Sequence, residues 1–215
     1  NFIINLKQMN MKRFYSLKAA FAVLFIFCAA FGSTMKAADD KVLVEVSDKS
    51  GWSVKAFSSD QNNSGSTEGP VASAIDGNNS TYWHTQWSPS VTDFPHWVVV
   101  DMGQEYDVAA FLYASRIQDR GRVKDFEIYF SNEDWSAVNW SDNALVWTSD
   151  YTGSFTDDQA QSQLIGTFSL PTSVKARYFK FKATSGHPSI HTGYAEKYIA
   201  VAELGIKIEE EPPIV

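Results

Sequence analysis

Cysteine is almost absent from this 215-residue chain, and the single one, Cys28, lies in the N-terminal region. Without a second cysteine the chain forms no internal disulfide, so its hydrophobic core must stabilise the fold. Long apolar runs are absent too. The uncharged apolar stretch Ala19–Phe31 is shorter than the roughly 20 residues of a membrane-spanning helix. We therefore expect no stable membrane span.

The N-terminal region has the three parts of a secretory signal peptide. Met11-Lys12-Arg13 gives a positive start, Ala19–Phe31 gives the apolar segment, and the small residues Ala37-Ala38 precede Asp39. We expect residues 1–38 to be an upstream extension and a signal peptide that is removed. The mature product is then secreted, periplasmic or held at the cell surface.

Two details of this leader leave alternatives open. The chain does not begin with methionine, and Met9 or Met11 is the expected start codon. Lipidation of Cys28 would require a small residue before the cysteine, and Phe27 stands there. A lipid anchor is therefore disfavoured.

Positive charge is scarce in the remaining chain. The sequence holds 18 Lys and Arg against 25 Asp and Glu, and five of the basic residues fall within 1–38. The mature part thus has a net charge of −12. Such a field repels phosphate backbones and anionic lipid, so nucleic acid is not an expected partner.

From residue 39 onward, short apolar segments with a strand period of two alternate with turn residues. This pattern predicts an all-β domain over 39–208, a sandwich or jelly roll, followed by an acidic, proline-containing tail or linker over 209–215. Ser58–Gly69 is predicted to be a long polar loop. The predicted strands are Val42–Val46, Trp52–Phe57, Trp97–Gly103, Val108–Ser115, Lys124–Ser131, Ala144–Thr148, Gln163–Phe168, Arg177–Ala183 and Ile199–Ile208.

A series of short motifs, in a characteristic order and spacing, makes the domain recognisable. They are Ala74–Thr85 (AIDGNNSTYWHT), Pro95–Trp97, Val100–Gly103, Arg116, Phe126–Ser131, Ala176–Phe181 and Ala200–Leu204. Together they resemble the coagulation factor 5/8 type C, or discoidin-like, domain, and within it the family 32 carbohydrate-binding modules of bacterial secreted enzymes. The resemblance implies a galactose-binding-domain-like jelly-roll β-sandwich. It also implies a non-catalytic role, with ligand-contacting loops at one end.

The resemblance further implies a structural calcium site. In similar domains the side chains that match Asp76, Thr81 and Glu203 bind calcium, with backbone carbonyls that match Ser73, Asn78 and Ala202. Carboxylate, hydroxyl and carbonyl oxygens are the ligands that Ca²⁺ takes. The alternative is a plain Asp-Gly turn with Glu203 in solvent.

The sugar site implied by the resemblance comprises His84, Arg116 and the stacking aromatic Tyr198. An imidazole and a guanidinium suit adjacent hydroxyls, and an aromatic face covers the apolar side of a pyranose. The sequence departs from the family pattern after Arg116, where Arg120 stands near the position of the usual Asn. Arg120 at the edge of the site would suit a galactose-type sugar or an acidic one. Asp60 and Glu68 are weaker candidates.

Each of these residues also has an ordinary structural interpretation. His84 can bond a strand edge, Arg116 can pair with Asp119 or Glu127, and Tyr198 can belong to the core. His96 is interpreted as structural. His187 and His191 lie four apart, but Pro188 between them rules out a rigid helical metal face, so zinc is not expected.

Two other functions compete with glycan binding. The chain contains no nucleophile elbow, phosphate-binding glycine loop or zinc-ligand cluster, which disfavours an enzyme, including a glycoside hydrolase with its own catalysis. A discoidin-like adhesion domain that binds protein or lipid is the stronger alternative. Glycans are the expected ligands, and association with a glycan-degrading enzyme or surface complex is the expected context.

Overall fold

The computed structural model describes residues 41–62, 69–116, 120–133, 147, 149–157, 166–188 and 197–212. The signal peptide, Cys28, Glu68, Asp119 and His191 lie outside these residues. The described part contains eight β-strands and a one-turn 3₁₀ helix, Val71–Ala74. The strands are β1 (Val42–Glu45), β2 (Ser53–Phe57), β3 (Trp83–His84), β4 (His96–Ser115), β5 (Asp125–Ser131), β6 (Ser149–Ser154), β7 (Gly166–Ala183) and β8 (Ala200–Glu210).

The strands form one continuous antiparallel sheet in the order β1-β8-β4-β7-β5-β6, while β2 pairs with β4 and β3 pairs with β8. The first half of β4 pairs with β2 and with the end of β7. Its second half pairs with β8 and with the beginning of β7. The long strands β4 and β7 therefore belong to two layers.

Strand β4 must bend sharply to achieve this. Its 20 residues would span about 66 Å if straight, yet both of its ends reach the segment 197–201. The Nε2–H of His96 donates to the carbonyl of Lys197 at 2.5 Å, and Ser115 pairs with Val201. The strand corner includes Gly103, whose φ of 78° and whose close approach to the Gly51 carbonyl exclude a side chain.

The hydrophobic core fills the space between the two halves of β4 and β7. The ring of Phe111, from the second half of β4, lies 5.5 Å from the ring of Phe179 and 5.6 Å from that of Phe181. Val98 and Val100, from the first half of β4, and Leu204 and Ile206 of β8 are also fully buried. The predicted all-β sandwich is confirmed.

The structure corrects the predicted strand boundaries. Trp97–Gly103 and Val108–Ser115 are parts of one strand, β4, and Arg177–Ala183 is the end of the long strand β7. The polar residues that suggest turns between them lie where the strands bend. Strand β6 was not predicted, because its sequence SDYTGS lacks apolar alternation, and most of the predicted strand Ala144–Thr148 falls outside the described residues. Within the described part of the chain, no helix has the length and apolar character needed to cross a bilayer.

Candidate functional site

One end of the sandwich collects most of the predicted site residues. Strand β3 places His84 opposite Ala200 at the beginning of β8. The backbone N–H of Arg116, directly after β4, donates to the Ala200 carbonyl at 3.3 Å. The N–H of Ala200 in turn donates to the carbonyl of Gly121 at 2.7 Å. Segments that are distant in sequence therefore meet around Ala200.

His84 is a buried imidazole with a defined orientation. His84 is 4% exposed, and its Nδ1–H donates to the carbonyl of Thr85 at 2.7 Å. In a neutral ring, Nε2 is then an acceptor for a hydroxyl donor. The ring lies 4.9 Å from the ring of Tyr198, centroid to centroid.

Arg116 lies over an aromatic ring that sequence reasoning missed. The guanidinium carbon of Arg116 is 4.1 Å from the centroid of Tyr82, and the Tyr82 ring is 6.4 Å from the His84 ring. Such cation–π stacking uses the face of the guanidinium, while its N–H donors lie in its plane. Tyr82 thus links Arg116 to His84.

We refer to Arg116, Tyr82, His84 and Tyr198 as the ring cluster. Tyr82 stands two residues before His84, and the strand period of two places both on one side of the chain. That alternation was a signal that could have identified Tyr82. Arg116 and His84 combine donors with an acceptor, a set that suits vicinal hydroxyl groups.

Tyr198 differs from the expected stacking residue. It is 7% exposed and packs on His84, so it presents little of the open ring face that stacking requires, whereas a hydrogen bond to the buried His84 needs only one accessible nitrogen. The structural interpretation of Tyr198, as part of the core that holds His84, accounts for this burial. The stacking role predicted for Tyr198 itself remains a prediction.

The other predicted contacts, Arg120 and Asp60, neighbour Gly121 and Gln61, whose backbones bond Ala200 and His84. Arg120 precedes Gly121, whose φ of 68° and close approach to Ala200 require glycine. Arg120 is therefore adjacent to a residue whose backbone bonds Ala200. One carboxylate oxygen of Asp60 accepts the backbone N–H of Val71 at 3.3 Å, which supports the loop.

The predicted calcium residues form a connected turn. The Asp76 carboxylate accepts the Asn78 N–H at 2.8 Å and the Thr81 hydroxyl at 2.6 Å. The Thr81 hydroxyl also lies 2.8 Å from the Asn78 carbonyl. The N–H of Gly77 donates to the Glu203 carboxylate at 2.9 Å. The Gly77–Glu203 contact brings this turn to β8 across 126 residues of sequence, which only the tertiary fold provides.

The two remaining predicted ligands are backbone positions. Ser73 lies in the short 3₁₀ helix and is buried. Ala202 is the extra residue of a β-bulge, because Glu203 pairs with Ala114 while Val201 pairs with Ser115. Among the described residues, no three His, Cys, Asp or Glu side chains cluster as a metal group. A cation here would therefore depend on hydroxyl and carbonyl oxygens as well.

A lysine also reaches this region. The Lys49 ammonium forms an ion pair with the Glu203 carboxylate and donates to the Leu204 carbonyl at 2.9 Å. Both side chains are buried, with 5% and 8% exposed. Burial raises the pKa of Glu203, although the Lys49 and Gly77 hydrogen bonds oppose that shift. The site thus suits a hard cation in its donor types, but one positive charge is already present.

The other histidines have structural contacts. The His96 ring is buried and bonds the Lys197 carbonyl, and burial lowers its pKa. The Nε2–H of His187 donates to the Phe155 carbonyl at 2.8 Å. A cavity of about 250 Å³ lies elsewhere, near the strand corner, where Trp52, Met102 and Tyr106 line it.

Comparison with known proteins identifies the family. The model of the F5/8 type C domain matches residues 53–197. A sialidase of Micromonospora viridifaciens is 32% identical over 143 residues, which are 65% of this chain and 19% of the sialidase. An A type blood N-acetyl-α-D-galactosamine deacetylase of Flavonifractor plautii is 36% identical over 73 residues, 34% of this chain and 9% of that protein. The chain thus spans about a fifth or less of these curated relatives.

Two solved structures have the same fold. The family 32 carbohydrate-binding module of C. perfringens NanJ, in complex with galactose, has a TM-score of 0.54 and 21% identity, covering 77% of this chain and 99% of the module. CpGH89CBM32-5 of Clostridium perfringens, in complex with GalNAc-β-1,3-galactose, has a TM-score of 0.57 and 22% identity, covering 76% and 99%. At these identities the likeness concerns the fold.

Proposed function

Because this chain belongs to the F5/8 type C domain family, we propose that it binds carbohydrate and does not itself catalyse a reaction. The observation that carries the proposal is the ring cluster, in which Arg116 and His84 stand together at one end of the sandwich. The NanJ module and CpGH89CBM32-5 were solved with galactose and with GalNAc-β-1,3-galactose. A terminal galactose-type sugar is therefore the proposed ligand class.

The proposed recognition uses complementary hydrogen bonds. The Arg116 guanidinium donates to hydroxyl oxygens, and Nε2 of His84 accepts a hydroxyl proton. The Tyr82 ring contacts the Arg116 guanidinium, and the Tyr198 ring contacts the His84 imidazole. Arg120 at the margin would favour an additional oxygen or a carboxylate. A shallow site of this kind buries little area, so we expect a single-site Kd of about 10–1000 μM.

The experiment is a glycan array with the purified domain, followed by calorimetry against galactose, N-acetylgalactosamine and galacturonate. Binding to galactose-type termini supports the proposal, and preference for galacturonate assigns a carboxylate contact to Arg120. Absence of binding to every glycan on a broad array contradicts it.

The proposed setting is outside the cell. The leader predicted over residues 1–38 directs export, with a mature N-terminus near Asp39 that intact-mass measurement of the exported product checks. The curated relatives include a sialidase and an N-acetylgalactosamine deacetylase. We propose that this domain attaches such a glycan-degrading enzyme, or a surface complex, to its substrate.

We also propose that the turn of Asp76, Asn78 and Thr81 holds calcium together with Glu203, Ser73 and Ala202. The support is the contact network that joins Asp76 to Thr81 and Gly77 to Glu203, together with the oxygen donors that Ca²⁺ prefers. Calcium would supply positive charge that holds the turn against β8. A cation that binds only the folded chain stabilises it by about 2.7 kcal/mol at a hundredfold excess over Kd.

Thermal unfolding with calcium and with chelator tests this proposal. We expect the melting temperature of the wild type to be higher in calcium, and Asp76→Ala to remove the difference. Asp107→Ala, which removes another exposed carboxylate, is the matched control and should retain the calcium response. Identical wild-type melting curves in the two conditions would exclude the site.

A further inference from the structure

A cavity of about 250 Å³ lies at the corner of strand β4. We refer to it as the corner cavity, and the lining side chains used below are Asp48, Ser50, Trp52, Met102, Gln104 and Tyr106. Its volume is just below the roughly 300–1,000 Å³ of pockets that hold drug-sized ligands. It therefore suits a smaller molecule, of about the size of one sugar ring.

The corner cavity is separate from the ring cluster. Both ends of β4 reach the segment 197–201, whereas the corner lies between them along the strand. The part of β4 from His96 to Gly103 alone spans about 20 Å. A ligand in the corner cavity therefore does not touch Arg116 or His84.

The corner cavity has an apolar floor and a polar rim. Met102 is 1% exposed and Trp52 is 8% exposed, and the Trp52 ring packs edge-on against the ring of Phe179, with centroids 5.8 Å apart. Asp48 and Gln104, in contrast, are exposed residues of the rim. An apolar surface with a few polar groups around it is the usual composition of a small-molecule site.

The indole N–H of Trp52 is a donor that the protein leaves without an acceptor. Its nitrogen is buried and has no hydrogen-bond partner within the part of the chain that the structure describes. An unpaired buried donor costs free energy, and most buried polar groups in folded proteins do find a partner. Because Trp52 also lines the cavity, an oxygen atom of a ligand bound there would supply the acceptor.

The rim supplies a complementary acceptor. The Asp48 carboxylate accepts the Ser50 backbone N–H at 3.0 Å, and hydrogen bonds from the backbone and side chain of Ser50 lower the pKa of Asp48. Asp48 is therefore charged at neutral pH. The Tyr106 hydroxyl accepts the Gln104 amide at 2.9 Å and can itself donate to a ligand.

The charges around the corner cavity disfavour an anionic ligand. Of the described residues that line it, Asp48 alone is charged at neutral pH. The Lys49 ammonium lies 5.4 Å from the centroid of the Trp52 ring, but it is paired with Glu203. A suitable ligand is thus neutral and both accepts and donates hydrogen bonds, as the hydroxyl groups of a sugar do.

From this composition we propose that the corner cavity is a second site, which binds a neutral saccharide unit. The C–H groups of the sugar pack on Trp52 and Met102, one of its oxygen atoms accepts the Trp52 N–H, and a hydroxyl donates to Asp48. The inference does not rest on the ring cluster. Two sites at opposite ends of the sandwich let one domain join two glycan chains.

The test records proton–nitrogen correlation spectra of the isotope-labelled protein while galactose, glucose or galacturonate is added. Trp52→Phe identifies the indole N–H signal of Trp52, because that signal disappears. In the wild type we expect the signal to shift and to saturate with either neutral sugar, and to stay in place with galacturonate. Arg116→Ala should show the same shift at the same sugar concentrations.

Asp48→Asn tests the rim. It keeps the shape of the side chain and removes its charge, so it should weaken binding at the Trp52 signal about 3- to 10-fold. Glu210→Gln is the matched control, because it neutralises another exposed carboxylate, opposite Val42 at the beginning of β1. It should bind as the wild type does, and melting curves check that each variant is folded.

The outcomes separate this inference from the proposed function. If neither neutral sugar moves the Trp52 signal while the wild type binds an arrayed glycan, the corner cavity is not a sugar site and the proposed function stands. A shift that disappears in Arg116→Ala comes from the ring cluster and overturns the inference. If the shift is unchanged in Arg116→Ala and array binding is unchanged as well, the corner cavity is the sugar site and the ring cluster is not. Equal affinity of Asp48→Asn, or stronger binding of galacturonate, contradicts the contact with Asp48.

Discussion

Two cationic side chains in the body of the sandwich contact carboxylates as well as aromatic rings, and one at the proposed ligand-binding end contacts an aromatic ring. In the body, Lys49 pairs with Glu203, and the guanidinium of Arg177 donates to both oxygens of Asp101, at 2.8 and 3.0 Å. At the ring cluster, Arg116 lies over the ring of Tyr82. A carboxylate accepts hydrogen bonds from the N–H donors of a guanidinium, whereas an aromatic ring attracts the cation through its π face. The ion pairs stabilise the fold, and the contact with Tyr82 positions Arg116 at the proposed ligand site.

The largest effect should follow from removing Lys49. In Lys49→Met, with chelator present so that no calcium occupies the proposed site, the Glu203 carboxylate stays buried without a cation, which should lower the free energy of unfolding by about 3–5 kcal/mol. Chemical denaturation measures this change in the free energy of unfolding. Adding Glu203→Gln to Lys49→Met should restore most of the stability, because no unpaired charge then remains. If the single variant is as stable as the wild type, the ion pair does not stabilise the fold.

Asp101→Asn should have a smaller effect on stability. The Asp101 side chain is 8% exposed and also accepts the Gly103 N–H at 2.8 Å, at the corner of β4. Losing its charge should lower the free energy of unfolding by about 1–3 kcal/mol, because Arg177 is partly exposed and keeps water as a partner. Sugar affinity should be unchanged, and a parallel loss of binding would show that the two regions are coupled.

The Asp101 carboxylate makes the free energy of unfolding depend on pH. Burial raises the pKa of Asp101, but hydrogen bonds from Arg177 and Gly103 outweigh it and hold the pKa below its ordinary value. The stabilisation is therefore present above the unfolded-state pKa of about 3.9 and is lost as the pH falls through the folded-state value. Asp101→Asn should lack this part of the acid-induced loss of stability, as denaturation between neutral and acidic pH would reveal.

Arg116→Ala should have the smallest effect on stability and a selective effect on binding. Loss of a charged donor to a sugar hydroxyl should cost about 1.5–3 kcal/mol of binding free energy, or roughly 10- to 150-fold in Kd. Lys175→Ala is a suitable control, since the Lys175 side chain is 64% exposed on β7, opposite Asp107 of β4, and its ammonium lies 4.0 Å from the Glu105 carboxylate. Equal sugar affinity in Arg116→Ala and the wild type would remove Arg116 from the site.

The sequence predicted the type of fold because it follows from local patterns. The apolar run Trp97–Val100 and the alternation in Phe126–Phe130 identify strands, and the scarcity of cysteine assigns stability to the core. The sequence did not reveal that β4 crosses both layers, since polar residues around Gly103 look like a turn whether a strand ends or bends there. Nor did it reveal β6, whose residues have little apolar alternation.

For the site, the sequence by itself determined which chemical groups are available. It also determined the order of the motifs, which matches His84 and Arg116 to positions of the family pattern. Only the tertiary structure decided which rings are open. Tyr198 and Trp87 are both aromatic residues close to site motifs, yet one is 7% exposed and the other 45%. It likewise placed Lys49 beside Glu203, 154 residues away. Burial and long-range contacts depend on how separate strands pack, and no local pattern contains that information.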